Sequence, residues 1–110
     1  MKAFTDIEQS KKLAEILPLE SADMHYIVMG DNEDPQTIVG LGEYIGILPT
    51  IPAWSLTALI KMFDDKTGLA KEYDLWFCYD NGKSHCTKHY DNPIDAAFEM
   101  IVWLKENNLL

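Results

Sequence analysis

The stretch from Asp91 to Leu110 constrains the fold more than any other, because a start signal, a helical body and a stop signal agree there. Asn92 is a preferred N-cap, and Pro93 stands where a missing N–H costs nothing. Asp95 falls at the capping-box position, facing the positive end of the helix dipole. The body, Ile94-Asp95-Ala96-Ala97-Phe98-Glu99-Met100-Ile101-Val102-Trp103-Leu104, is almost wholly apolar and predicts a helix to about Asn107. Its polar residues Asp95, Glu99 and Glu106 form one narrow stripe, so the helix must bury more of its girth than a one-sided surface helix does. Such a helix packs on two sides or meets a partner. No comparable signal exists for chemistry.

A chain of 110 residues has room for one core, so one domain over residues 1–110 is expected, without separate cofactor and substrate domains. An apolar content of 47% excludes a disordered tail as the main story. No apolar run approaches a membrane span, and the start, Met1-Lys2-Ala3-Phe4-Thr5-Asp6, lacks the apolar stretch of a signal peptide. The expected location is therefore cytoplasmic. The net charge of -9 sets 18 acidic residues against 9 basic ones, every one of them Lys. Without Arg the chain lacks the planar fork that grips phosphates, which argues against phosphoryl transfer and direct nucleic-acid binding. The acidity fits solubility, or mimicry of nucleic acid towards a basic protein.

Thr5-Asp6-Ile7-Glu8 reads as a capping box with Thr5 as N-cap, opening a helix that Pro18 ends. Residues 24–29 read as a strand and residues 37–41 as a shorter one returning beside it. Gly42, Gly46, Pro49 and Pro52 predict an irregular segment, yet Tyr44, Ile45, Ile47 and Leu48 are apolar, making it a candidate binding loop. Ser55 reads as the cap of a second helix with Leu56, Leu59, Ile60 and Phe63 inward. Residues 73–79 and 84–90 flank Asn81-Gly82, a strong hairpin signal. A two-residue loop there pairs Tyr79 with Ser84 and groups Tyr73, Leu75, Phe77, Tyr79, Cys86 and Tyr90 as the apolar face. Cys78 then has no disulfide register with Cys86. The expected fold is α+β: an antiparallel sheet of about four strands in two hairpins, with three helices mainly on one face, ordered helix, two strands, helix, two strands, helix.

Cys78, His85, Cys86 and His89 cluster around one hairpin, but Cys86 faces away from the two histidines and no close cysteine pair exists, so no metal is expected. Ser55 lacks a nucleophile elbow, and Gly40-Leu41-Gly42 is followed by prolines rather than a helix, so neither catalysis nor a cofactor is expected from them. Asp95 and Glu99 lie one helical turn apart, so either could face a cleft with His85 or His89 as an acid/base pair. Trp76 falls on the more polar hairpin face, covered by another element or exposed for recognition.

Two segments, residues 51–60 (Ile-Pro-Ala-Trp-Ser-Leu-Thr-Ala-Leu-Ile) and residues 91–107, resemble a family of small, uncharacterised bacterial proteins associated with gut anaerobes and their phages or mobile elements. The resemblance covers about a quarter of the chain. It implies a shared fold and carries no activity, cofactor or catalytic residue. The leading functional expectation is a non-catalytic module that self-associates or binds another protein. Its candidate surface comprises Tyr44, Ile45, Ile47, Leu48, Trp76, Met100 and Trp103. The alternatives are a small hydrolase or ligand-binding protein using His85 or His89 with Asp95 or Glu99, and an acidic nucleic-acid mimic that captures a basic protein.

Overall fold

Asp6, rather than Thr5, opens the first helix. In the computed structural model, which describes residues 2–27, 36–39 (as backbone) and 50–110, helix α1 spans Ile7–Ala14. The Asp6 carboxylate accepts the Gln9 N–H at 2.8 Å, and Gln9 Oε1 accepts the Asp6 N–H at 3.1 Å, a complete capping box one residue later than the spacing suggested. Thr5 is fully buried and serves another purpose, described below.

Two antiparallel sheets of three strands each, with three helices, make the architecture α+β among the described residues. The expectation of one four-stranded sheet is corrected by two strands that sequence reasoning left out. The chain divides into two compact units, Phe4–Ser55 and Met1–Ala3 with Leu56–Leu110.

In the first unit, β1 (Met24–Ile27) lies between β2 (Gln36–Val39) and β3 (Thr50–Ala53), both antiparallel to it. Here β3 runs through Pro52, a residue type that argues against a strand. Pro52 sits opposite His25 on an edge strand, where its missing N–H leaves no ladder bond unmade. Met24, Tyr26 and Ala53 form a core against which Phe4, Ile7 and Ile51 pack. A polar knot ties this core to the start of α1. Thr5 donates its N–H to the Trp54 carbonyl at 2.9 Å, its Oγ1 accepts the Trp54 N–H at 3.0 Å, and its carbonyl accepts the Tyr26 hydroxyl at 2.7 Å. The Thr5 and Ser10 hydroxyls pair at 2.8 Å. Ser55 makes a comparable local contact, giving both its N–H and its hydroxyl to the Asp23 carboxylate.

In the second unit, α2 (Leu56–Ile60) is followed by β4 (Thr67–Glu72), β5 (Leu75–Asp80) and β6 (His85–Cys86), with β5 central. The Ile60 side chain expected to point inward is 40% exposed, while Ala58 and Leu59 are buried. The tight hairpin turn is at Tyr73–Asp74, both in the left-handed region (φ 52° and 63°), with Glu72 opposite Leu75. Asn81-Gly82 instead belongs to a four-residue connection, because Tyr79 pairs with Cys86 and Asp80 with His85. Asp80, nearly buried, shapes that loop by accepting the Lys83 N–H at 2.9 Å and the Thr67 hydroxyl at 2.8 Å.

Helix α3 (Pro93–Glu106) forms as its sequence dictates. Asn92 caps it, accepting the Asp95 N–H at 2.9 Å, and Asn107 ends it. It packs on β5 and β4 and also against α2, so its apolar girth is met within its own unit. Only Lys105 and Glu106 are exposed along its length. Of the two α3 residues offered as an interaction surface, Met100 is fully buried and presents none, while Trp103 stays half-buried.

Candidate functional site

The face of the second sheet that meets α3 is not the one hydrophobic alternation pointed to. Cross-strand neighbours Leu69 and Cys78, and Thr67 and Asp80, share a face with Trp76. Cys78 is fully buried there, whereas Leu75, on the expected apolar face, is 38% exposed. Two-residue periodicity cannot say which side of a strand a helix will cover when both sides carry large side chains.

After β6 the chain stays beside β5, with a bulge. Thr87 donates its N–H to the Cys78 carbonyl at 2.9 Å, and Trp76 and Tyr90 exchange both backbone bonds at 2.6 and 2.8 Å. Three steps on one strand therefore oppose two on the other. The extra residue takes Lys88 out of the ladder and turns its N–H to Glu99 Oε2 at 2.8 Å, while Tyr90 swings onto the helix side and donates its hydroxyl to Glu99 Oε1 at 2.8 Å. Glu99 is held at both oxygens. Burial first, then the Glu99 hydrogen bond and the Glu99 and Asp95 charges, push the Tyr90 phenol up to about 12. Burial, reinforced by the Glu99 charge, likewise pushes the Cys78 thiol up to about 12, so that sulfur stays protonated.

Beside this carboxylate an open groove of about 350 Å³ runs between the hairpin and α3. Its hairpin wall is His85, Cys86 and Lys88, and its helix wall is Glu99, Val102, Trp103 and Glu106. The His85 imidazole lies flat on the Trp103 indole, ring centroids 4.0 Å apart and planes 3° from parallel. Both rings are half-buried, so the stack orients Trp103 and leaves part of it in the groove.

Of the four residues considered for acid/base work, the fold brings His85 and Glu99 to this groove and sends the others elsewhere. His89 is exposed and packs on Phe77, at 4.8 Å between centroids. Asp95 accepts Lys2 Nζ at 2.7 Å and the Asn92 side-chain amide at 2.7 Å. Trp76 is half-buried with Lys71 Nζ 5.3 Å from its ring centroid. Tyr44, Ile45, Ile47 and Leu48 lie outside the described residues. Among those described, no three His, Cys, Asp or Glu side chains gather to hold a metal ion, and no helix is long and apolar enough to cross a membrane.

Sequence reasoning missed Val102, Lys88 and Tyr90 as parts of one site. The helix half was legible: Glu99, Val102, Trp103 and Glu106 follow the spacing that puts side chains on one helical face. The hairpin half depends on the bulge, which no local residue type announces. A second cavity, about 280 Å³, lies in the first unit against His25, Thr50 and Pro52, and His25 Nδ1 has no hydrogen-bond partner among the described residues.

No protein-family model, curated protein or solved structure matches the chain.

Proposed function

We propose that the protein is a non-catalytic binding module that holds another protein in the groove between the β5–β6 hairpin and α3. The observation that carries this reading is the flat His85–Trp103 stack, part covered and part open, beside a carboxylate whose two oxygens already accept donors. A stacked, pre-oriented aromatic is the kind of side chain that anchors an interface. A general base has to be aimed at a substrate proton, whereas here both candidates form parts of the wall: Glu99 is oriented by the Lys88 N–H and the Tyr90 hydroxyl, and His85 lies flat on Trp103. The buried, protonated Cys78 offers no nucleophile. The two segments that resemble a bacterial family lie in the end of β3 with α2 and in α3, where they supply caps and core, and add no activity.

Site-directed photo-crosslinking in the host cell tests this. A benzoylphenylalanine at Val102, inside the groove, is expected to give a discrete adduct with one protein, and the same probe at exposed Lys61 none. Equal labelling from both positions, or none from Val102, overturns the reading.

A further inference from the structure

We infer that the groove accepts an arginine side chain presented by a basic segment of the bound protein; this rests on the binding-module reading and adds the chemistry of the partner. Along the groove wall of α3 the order is Glu99, Trp103, Glu106, a carboxylate on each side of an aromatic ring over two helical turns, spanning about 10 Å. A guanidinium is the group that uses both kinds of wall at once. Its plane lies on an indole, its fork of N–H donors meets a carboxylate, and it sheds water more readily than an ammonium does. Glu99 is already oriented by the Lys88 N–H and the Tyr90 hydroxyl, and each of its oxygens keeps a further acceptor position for such a donor.

Two further facts select the occupant. The chain carries a net charge of -9, which draws cationic segments and repels a second copy of itself. It also contains no Arg, so no second copy could supply the guanidinium. Among the described residues of the lining Lys88 is the one lysine, opposed by Glu99 and Glu106, with His85 and Cys86 completing the hairpin wall. Lys88 therefore competes with the proposed occupant, and removing its charge strengthens binding.

The test titrates the whole protein with a capped Gly-Arg-Gly-Arg-Gly peptide, its citrulline counterpart and its lysine counterpart, following the Trp103 indole N–H and the His85 ring by NMR. The arginine peptide is expected to give saturable shifts confined to the groove, roughly tenfold weaker for citrulline and for exposed-site Glu106→Gln, and stronger for Lys88→Ala. Glu99→Gln, read only if its amide spectrum stays native, weakens binding similarly. Equal binding of citrulline, indifference to Glu106→Gln, or shifts spread over the acidic surface would overturn the inference. A lysine peptide that binds as tightly removes the guanidinium assignment. A crosslinked partner without basic segments sinks this inference while leaving the binding-module reading intact.

Discussion

Thr5 shows how much one buried hydroxyl can organise. It joins the chain just ahead of the α1 cap to the end of β3 and, through its carbonyl, to β1, with no exposure to water. Valine has nearly the same shape and no hydroxyl, so Thr5→Val would strand the Trp54 N–H in a dry site and leave the Ser10 hydroxyl only its long 3.5 Å bond to the Thr5 carbonyl. Stability should fall by about 1–3 kcal/mol in urea unfolding, whereas Thr5→Ser, which keeps the oxygen, should cost clearly less. Equal losses for the two variants would mean that methyl packing, rather than the hydrogen bonds, matters at this position.

At the level of elements, the β4–β5 hairpin is strained where it turns. Tyr73 and Asp74 both adopt positive φ, as a two-residue type I′ connection requires, although Tyr is poorly suited to that region and its side chain is 90% exposed. Replacing the pair by Asn-Gly supplies residues that accept those angles. Thermal unfolding should then show a gain of about 0.5–1 kcal/mol, because exposed Tyr73 gives up little packing. A loss would indicate that the Tyr73 ring has a contact worth more than the strain. The bulge beyond β6 has the opposite character: it disturbs the ladder at Lys88 and in return delivers two donors to Glu99.

For the molecule as a whole, Cys78 and Tyr90 make stability depend on alkaline pH. In the unfolded chain Cys78 and Tyr90 titrate near 9.0 and 10.0, and in the folded protein both rise to about 12. Below pH 9 both states hold these protons and the contribution is complete. Between about 9 and 12 the unfolded state binds fewer protons than the folded one, so stability falls as pH rises through that window. Urea midpoints measured from pH 8 to 11 should decline accordingly. Tyrosinate absorbance should contain a late component near pH 12 that Tyr90→Phe removes and that Glu99→Gln moves back towards 10. A flat stability profile, with no late tyrosinate component that Tyr90→Phe removes, contradicts this account of the Glu99 cluster.

The α3 helix, its Asn92 cap, its end at Asn107 and its need for cover on more than one side were all legible in the sequence, as was the return of a short strand beside residues 24–27. These depend on a turn or two of chain, where capping, proline geometry and helical period act locally. What only the tertiary structure decided is non-local. Thr67–Glu72, poor in strand-forming residues, is a strand because β5 pairs with it along its whole length. Pro52 lies in a strand because that strand is an edge. The face of β5 that meets α3, and with it the meeting of His85, Trp103 and Glu99, follows from a register and a bulge set by packing across the sheet. A chain encodes its caps within a few residues, but a strand learns its inner face only from the element that covers it.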